Sequence, residues 1–351
     1  MSIEWLSIRG LRNLEATELR PVSGINWLHG PNGAGKTSVL EAIYLLARGR
    51  SFRSSTIRGV IQHGSEALSV VARRADGCTL GVERQLTSWR GRLDGRDCQR
   101  VSEFATRLPL VLIEPDSHRL IDGGPDQRRQ YLDWLLFHVE HSYLETWRRY
   151  ARVLRQRNAA LKTGADDRLL DALEPEFVRA GEAINRLRAA QAEQVGELAT
   201  GLVEQLGFAL PGKLGFRYRP GHPADSSLAT AVAEHRTRER ERGFSRCGPH
   251  RAELVMTCAG YPAASEMSRG QQKLLAVILQ LAGLDLLARY AKWPPMLLLD
   301  DPVSELDRRH LEQLLDWLEA SDVQGWVTAT TPARKGVAMF HVEQGRIRPM
   351  L

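Results

Sequence analysis

The spacing of apolar and polar residues changes twice along the chain and divides it into three parts. Up to about residue 115, apolar runs bounded by turn residues predict strands at 3–8, 25–28, 68–71, 80–82 and 110–113. Asp94-Gly95 predicts a hairpin turn. From about Asp126 the period becomes helical, and from about Lys213 the chain returns to strands, the last at 326–328 and 339–342. The pattern predicts an α/β fold interrupted by a helical segment.

The helical segment predicts two long antiparallel helices. One apolar series advances by steps of three and four from Leu132 to Leu154, and a second runs from Leu169 to Leu206. The turn-like residues 163–165 separate them. At about 1.5 Å per residue, near forty residues would give an arm of about 55 to 60 Å. We expect Trp147 and Tyr150, at helical spacing, to pack within this arm.

A glycine-rich loop follows the strand at 25–28 and precedes an amphipathic helix. It consists of Gly30, Pro31, Asn32, Gly33, Ala34, Gly35, Lys36 and Thr37. Its glycines let several backbone N–H groups converge on a phosphate, and the helix N-terminus and Lys36 add positive charge. These residues predict a P-loop for a nucleoside triphosphate, with the Thr37 hydroxyl on Mg²⁺.

A second functional motif lies near the C-terminus, where the apolar run 296–299 leads into Asp300-Asp301. This arrangement is typical of a Walker B strand. We predict that Asp300 reaches the Mg²⁺ shell and that Asp301 orients or deprotonates the attacking water. Residues 304–307 are similar to a D-loop.

Ser268-Arg269-Gly270-Gln271-Gln272-Lys273 opens a long apolar helix and is typical of an ABC signature. In ABC ATPases this element binds the γ-phosphate of the nucleotide held by a second subunit, so Ser268 and Gly270 predict an ATP-dependent homodimer. The predicted fold is an α/β, ABC-type P-loop ATPase head split by a helical antiparallel arm domain. We place the head at 1–120 and 213–351 and the arm at 121–212.

Composition restricts the compartment and the partners. The cysteines Cys78, Cys98, Cys247 and Cys258 show neither metal-ligand spacing nor a paired framework, which favours a reducing cytosol. We expect no export signal and no membrane segment. A net charge of +6 permits a polyanionic partner. The arginines of 48–58 suggest a DNA or interdomain contact, whereas those of 235–242 alternate with Glu and suggest a solvated face.

The whole chain resembles the RecF family of bacterial recombination mediator ATPases, an SMC-like branch of the ABC ATPases. The matching residues are Arg12-Asn13, 50–53, Pro115-Asp116, Gly123-Gly124-Pro125, Arg128-Arg129, 131–133, 156–158, 248–251, 298–301, 304–307 and 311–314. Ala252-Glu253 departs from the pair of aspartates usual in the family.

The resemblance implies a cytoplasmic ATPase of DNA replication, DNA damage repair and the SOS response. Such proteins form homodimers on ATP, bind duplex DNA and gap boundaries, and work with RecR and RecO to load RecA. The resemblance also implies adenine contacts at Arg12 and Asn13. For Arg128-Arg129 we expect a brace between arm and head, and for His250 either a place near the nucleotide interface or a buried histidine bonded to backbone.

Asp301 stands where many ABC enzymes carry a glutamate, and the strand 327–331 lacks the switch histidine. We therefore predict a weak, DNA-dependent ATPase that works as a switch. The alternative is another SMC-like ATPase that acts as a DNA scaffold or nuclease partner. A nuclease needs its own carboxylate cluster, a bridging protein needs a long coiled coil, and a transporter subunit lacks a long helical insert at this position.

Overall fold

The computed structural model describes residues 2–333 and 337–350. The strands are β1 (Ile3–Arg9), β2 (Thr17–Leu19), β3 (Ile25–His29), β4 (Ala67–Arg74), β5 (Thr79–Gln85), β6 (Trp89–Leu93), β7 (Arg96–Cys98), β8 (Leu110–Ile113), β9 (Leu214–Arg219), β10 (Glu253–Cys258), β11 (Tyr261–Pro262), β12 (Met296–Leu299), β13 (Gln324–Ala329), β14 (Ala338–Glu343) and β15 (Arg346–Met350). The predicted hairpin turn at Asp94-Gly95 is confirmed, with both residues at positive φ between β6 and β7.

The helices are α1 (Lys36–Arg48), α2 (Val101–Arg107), α3 (Arg119–Asp122), α4 (Pro125–Val139), α5 (Tyr143–Lys162), α6 (Asp167–Gln205), α7 (Leu228–Arg242), α8 (Ala263–Glu266), α9 (Arg269–Tyr290) and α10 (Arg308–Glu319). Short 3-10 turns occupy Ile57–Gly59, Pro249–Arg251 and Pro302–Ser304. Among the described residues, no helix combines the length and the apolar character needed to cross a bilayer.

The chain forms two compact units. The first contains the described residues up to Ser117, Gln205–Phe208 and those from Gly283 onward. It holds an antiparallel sheet in the order β2-β1-β4-β5-β6-β7 and a second sheet in the order β15-β14-β3-β13-β12-β8. The second sheet is parallel except for the β14–β15 hairpin.

Helix α1 contacts strands of both sheets in the first unit, β4 and β5 on one and β13 on the other. Because α1 is covered on both sides, every residue from Ser38 to Ala47 is buried, rather than one stripe of the helix. The apolar core around α1 includes Leu40, Ile43 and Trp326. This packing fixes the helix that begins at the P-loop.

The second unit contains His118–Glu204 and Ala209–Ala282. It combines helices α3 to α8 and the first part of α9 with the three-stranded antiparallel sheet β11-β10-β9. Near their connection α5 and α6 pair antiparallel. The Tyr150 ring stacks on Phe177, and further along α5 the residues Ala160 and Leu161 pack against Leu170.

The first arm helix differs from the prediction, because the structure breaks it between Val139 and Tyr143. Glu140 Oε1 accepts hydrogen bonds from both the backbone N–H and the hydroxyl of Ser142, at 3.0 and 2.8 Å. This local side-chain bond competes with helix continuation. Trp147, expected within the arm, is 41% exposed, whereas Tyr150 is buried as expected. The second predicted helix is one helix of 39 residues, α6.

The compact units do not follow the predicted domain ranges, since Ala209–Ala282 groups with the arm helices. Ion pairs and hydrogen bonds between residues far apart in sequence explain this grouping. Arg188 on α6 donates to the carbonyl of Pro249 at 2.7 Å, and the Tyr218 hydroxyl on β9 donates to Asn185 on α6 at 2.7 Å. The functional division into head and arm stays a prediction.

Candidate nucleotide-binding site

The glycine-rich loop joins β3, all of whose residues are buried, to α1. Gly30, Gly33 and Gly35 have φ values of +153°, +76° and +114°, in the region that favours glycine. A Cβ on Gly30 would lie 2.0 Å from the carbonyl oxygen of Val342 on β14, so no larger residue fits there. The close contact with β14 and the glycine backbone conformations therefore together fix the curvature of the loop.

Lys36, the first residue of α1, is only 9% exposed. Its Nζ donates to the carbonyl oxygens of Gly30 and Pro31 at 2.8 and 2.9 Å. Burial lowers the pKa of Lys36, and the negative charges of Asp301 and Asp300 oppose that shift. The ammonium therefore lies inside the curve of the loop, where a phosphate would meet it.

Asp300 follows β12 and lies against Thr37. One carboxylate oxygen, Oδ1, accepts from the Thr37 hydroxyl at 2.8 Å and from the Thr328 hydroxyl at 2.8 Å. Burial raises the pKa of Asp300 above its ordinary value, while the hydrogen bonds from Thr37 and Thr328 act in the opposite direction. A hydroxyl and a carboxylate side by side are the hard oxygen ligands that Mg²⁺ prefers, so the residues fit that ion.

Asp301 has an uncommon backbone conformation for a residue other than glycine, with φ +47° and ψ +56°. Its N–H donates to the Thr328 hydroxyl at 2.8 Å, and its carbonyl accepts from Ser304 N and Oγ at 3.0 and 2.8 Å. These bonds hold the exposed Asp301 side chain at the edge of the cavity that the P-loop borders.

Thr328 is a site residue that sequence reasoning missed. β12 and β13 are parallel neighbours with Leu299 opposite Val327, which places Thr328 beside Asp300. Its hydroxyl donates to Asp300 and accepts from the Asp301 N–H, and the residue is 1% exposed. The only trace of Thr328 in the sequence is that a hydroxyl side chain directly follows Val327. Val327 pairs with Leu299, the last residue of the Walker B strand, and this pairing is visible only in the fold.

The cavity beside the P-loop has a volume of about 380 Å³, and residues from other segments complete its lining. Arg12 lines it and forms two hydrogen bonds with Glu41, at 2.9 and 2.7 Å. Asn13 lines it and donates to the carbonyl of Gly33 at 3.0 Å. Arg53, from the arginine-rich stretch 48–58, also lines this cavity.

The turn between β14 and β15 contacts two segments that line the cavity. The Gly345 N–H donates to the Ala34 carbonyl at 2.8 Å, and the Gly345 carbonyl accepts from Glu15 N at 3.0 Å. A Cβ on Gly345 would lie 2.0 Å from the carbonyl oxygen of Asn13. The turn therefore fixes the spacing between the P-loop and the Arg12–Glu15 segment.

The predicted signature residues belong to the second unit. The predicted catalytic and metal-site residues Lys36, Thr37, Asp300 and Asp301 belong to the first. Ser268 and Gln271 cap α9 reciprocally: Ser268 N donates to Gln271 Oε1 at 2.9 Å, and Gln271 N donates to Ser268 Oγ at 3.4 Å. Ser268 and Gly270 are exposed, and no other part of the described chain lies within 4 Å of a Cβ built on Gly270. The helix N-terminus is open to a ligand.

Arg128 and Arg129 brace elements within the second unit. Arg128 forms two parallel bonds to the Glu253 carboxylate, at 2.6 and 2.8 Å, and Arg129 donates to the Ala252 carbonyl at 2.6 Å. These bonds join the predicted arm range to the predicted head range, but all four residues lie in one compact unit, so a brace between arm and head stays a prediction. Glu253, which departs from the family pattern, supplies the carboxylate that pairs with Arg128.

His250 is a half-buried histidine bonded to backbone, which is close to one of the two expected alternatives. Its Nε2 lies 3.0 Å from the Ser245 carbonyl, and its Nδ1 lies 2.6 Å from the Tyr150 hydroxyl. A carbonyl can only accept, so Nε2 donates and Nδ1 accepts from Tyr150. This arrangement suits the neutral ring, and burial lowers the pKa of His250 to about 4.

Comparison with known proteins places this geometry in a family. The family model RecF/RecN/SMC N terminal domain matches residues 2–344. The chain is 41% identical to the DNA replication and repair protein RecF of Xanthomonas axonopodis pv. citri, over 99% of this chain and 98% of that protein. It is 38% identical to the protein of the same name from Thioalkalivibrio sulfidiphilus, over 99% of both chains.

Solved structures agree with this match. The structure of the recombination mediator protein RecF-ATP in the RecFOR pathway has a TM-score of 0.89 and 25% identity, covering 100% of this chain and 98% of that one. An Smc head domain from Pyrococcus furiosus, with a TM-score of 0.60 and 18% identity over 99% and 96% of the chains, shares the fold. The predicted α/β, ABC-type ATPase fold is confirmed. The chain belongs to the RecF family of DNA replication and repair proteins.

Proposed function

We propose that this chain is an ATP-dependent DNA-binding protein of replication-coupled recombinational repair. The observation that carries the proposal is that Lys36, Thr37 and Asp301 line the cavity beside the P-loop, with Asp300 hydrogen-bonded to Thr37. The name of the similar RecF-ATP structure and the names of the curated relatives support the same reading. These relatives do not favour the alternative of an SMC-like scaffold or nuclease partner.

In this proposal the P-loop, from Gly30 to Thr37, binds the phosphates of ATP. Lys36 acts as a point charge on the outer phosphates, and Thr37 with Asp300 would hold Mg²⁺. When bound, that ion neutralises charge on the outer phosphates. Asp301 orients the attacking water or accepts its proton.

We infer that turnover is slow and that the bound nucleotide works as a switch. Asp301 is shorter by one methylene than the glutamate of many ABC enzymes, and an offset of about 1 Å can cost about a hundredfold in rate. The Thr328 hydroxyl is already bonded to Asp300 and Asp301, so it is not available to replace a switch histidine. A long-lived ATP-bound state can mark a DNA site.

We further propose that ATP joins two copies of the chain. Ser268 and Gly270 of one copy would bind the γ-phosphate of the nucleotide held by Lys36 of the other. The exposed N-terminus of α9 supports this role. The functional head would then comprise 1–120 and 213–351, because these ranges contain all the nucleotide-binding motifs, and the arm would comprise 121–212.

The partners in this proposal are double-stranded and gapped DNA, a second copy of the chain, and RecR acting with RecO and RecA. The cytoplasm is the compartment where these partners meet. The curated relatives, which are DNA replication and repair proteins, support the DNA partner.

The test is a titration of gapped and plain duplex DNA with and without Mg·ATP at two salt concentrations. We expect binding that requires ATP, is tighter for gapped DNA and weakens as salt rises, because phosphate contacts release counterions. Lys36→Arg, which keeps the charge but spreads it over a bulkier group, should lose the ATP dependence. Affinity that is the same with and without ATP would overturn the proposal.

A further inference from the structure

Helix α5 has two opposite faces of different character. The buried face consists of Tyr143, Tyr150, Val153, Arg157, Ala160 and Leu161. The opposite face carries four exposed cations, Arg148, Arg152, Arg155 and Lys162, which we call the basic stripe. At about 3.6 residues per turn these four side chains fall within an arc of about 80°. The stripe is therefore one continuous surface rather than scattered charges.

No acidic residue occurs between Glu145 and Asp166 in the sequence. Within residues 2–333 and 337–350, none of the four cations of the basic stripe forms an ion pair with a carboxylate. Arg149 and Arg157 of the same helix are different, since they pair with Glu176 and with Glu174 and Glu239. The stripe thus exposes positive charge without neutralising partners.

A solvated helix face usually mixes both signs, and α7 shows this. Its Arg236 pairs with Asp167 and Asp171, and its Arg240 pairs with Asp167. Exposed Glu234 and Glu241 alternate with the arginines of that helix. The basic stripe of α5 lacks such neutralisation, although like charges one turn apart repel each other. An anionic partner would offset that repulsion.

We infer that the basic stripe of α5 is a contact surface for the sugar–phosphate backbone of duplex DNA. This inference rests on the proposed function and locates one DNA contact within it. From Arg148 to Lys162 the helix rises about 21 Å, which is about six base pairs along a duplex at ~3.4 Å each. Three of the four cations are arginines, whose planar groups bind phosphate oxygens in pairs. Phosphate contacts of this kind position the protein without reading sequence.

The test compares two variants that lose the same charge in the same compact unit. The stripe variant carries Arg148→Gln, Arg152→Gln, Arg155→Gln and Lys162→Gln. The scattered variant carries Arg168→Gln, Arg186→Gln, Arg238→Gln and Arg242→Gln, four exposed arginines that are divided between α6 and α7 and so do not form one row along a single helix. All eight positions are on the surface, and glutamine keeps helix propensity. Circular dichroism and ATP-dependent sedimentation verify that both variants fold and respond to nucleotide.

Affinity for a labelled plain duplex is measured by fluorescence anisotropy with Mg·ATP across a range of salt. We expect the slope of log affinity against log salt to fall by up to about 3.6 in the stripe variant, at ~0.9 per phosphate contact. The wild type should then lose up to about 150-fold more affinity than this variant between about 50 and 200 mM salt. The scattered variant should keep the wild-type slope.

A gain-of-charge variant tests the same surface in the other direction. Ala159 is exposed and lies between Arg155 and Lys162 on the stripe. Ala159→Arg should raise the slope by about 0.9, because it adds one phosphate contact in line with the others. An unchanged slope in this variant would count against a backbone contact along α5.

The outcomes separate this inference from the proposed function. If the wild type binds DNA with ATP and the stripe and scattered variants lose affinity equally, the inference is wrong and the proposed function stands. If the wild type binds no DNA, the proposed function fails and the inference with it. If the stripe variant keeps duplex binding but loses binding to phosphatidylserine vesicles, the surface contacts lipid instead and the inference is overturned.

Discussion

At the residue scale, Thr328 links the two carboxylate residues of the site. Its hydroxyl donates to Asp300 and accepts from the N–H of Asp301. Asp301 has a left-handed backbone conformation that few residues other than glycine adopt, so something must hold it there. We consider Thr328 a positioning residue, because it acts on the site through its two neighbours.

Thr328→Val keeps the side-chain shape and removes the hydroxyl. The partly buried Asp301 N–H would lose its acceptor, which costs about 1 kcal/mol of stability. Asp300 would lose a hydrogen bond that opposes the rise of its pKa, so Mg·ATP binding should fail at a higher pH than in the wild type. Nucleotide affinity measured against pH tests this, and Thr328→Ser should restore the wild-type profile. An unshifted profile in Thr328→Val would contradict the role.

Gly345 provides a second test at the same scale. Gly345 and Gly95 both close β-hairpin turns, with φ values of +81° and +77°. A Cβ at Gly345 would lie 2.0 Å from the Asn13 carbonyl oxygen, whereas no neighbour among residues 2–333 and 337–350 lies within 4 Å of a Cβ at Gly95. Alanine at either position costs about 1–2 kcal/mol in backbone strain.

Gly345→Ala should weaken ATP binding, because it displaces the Asn13 segment from the P-loop, while Gly95→Ala should leave ATP affinity unchanged. Isothermal titration of the two variants, with their stabilities measured in parallel, makes the comparison. Equal ATP affinities would show that the β14–β15 turn is only structural.

The residue scale also shows what sequence could predict. The P-loop and the Walker B pair were predictable because their fixed spacing follows from phosphate and metal chemistry. Thr328 was not, because its role depends on a strand neighbour 28 positions from Asp300. The Arg12 and Asn13 side chains line the cavity, and their adenine contacts stay a prediction; their bonds to Glu41 and Gly33 became visible only in the fold.

At the element scale, the 3-10 turn Pro249–Arg251 is attached to α5 by the His250–Tyr150 bond. Burial lowers the pKa of His250 to about 4, with the positive charges of Arg251 and Arg129 acting in the same direction. The unfolded chain therefore binds more protons than the folded chain between about pH 6.5 and 4. Stability from the neutral histidine is present above that window and is lost as the pH falls through it.

We predict that protonation of His250 in the unfolded chain lowers the free energy of unfolding by about 2 kcal/mol between about pH 7.5 and 5. Urea unfolding followed by circular dichroism at the two pH values measures it. His250→Gln should remove this part of the pH dependence, and His63→Gln, at an exposed histidine, should not. The same pH dependence in wild type and His250→Gln would refute the assignment.

The arm shows why element boundaries were harder to predict than element types. The apolar period continues from α4 into α5, and neither glycine nor proline marks the break at 140–142. The Glu140–Ser142 bonds that replace helical continuation are local and weak, and periodicity does not report them. The β6–β7 turn was predictable because Asp-Gly has a strong intrinsic preference for it.

At the scale of the whole molecule, the grouping of 209–282 with the arm helices could not be predicted. It depends on pairs such as Arg128 with Glu253, which are 125 positions apart. Single-sequence patterns report local periodicity and motif spacing, but not which distant charges meet. Membership of the RecF family was predictable because its motifs extend over the whole chain.

The central claim is that ATP joins two chains through the P-loop of one and the signature of the other. Asp301→Asn should slow hydrolysis and trap the dimer. Ser268→Arg should block it, because the side chain fills the γ-phosphate position. Ser227→Arg is the matched control, since Ser227 also caps a helix, α7, and lies outside the nucleotide motifs.

The most direct measurement is equilibrium sedimentation of Asp301→Asn with and without Mg·ATP, alone and combined with each serine substitution. The account predicts a dimer with ATP in Asp301→Asn and in the Ser227→Arg combination, and a monomer in the Ser268→Arg combination. A monomer under all conditions, or a dimer that persists with Ser268→Arg, would contradict it.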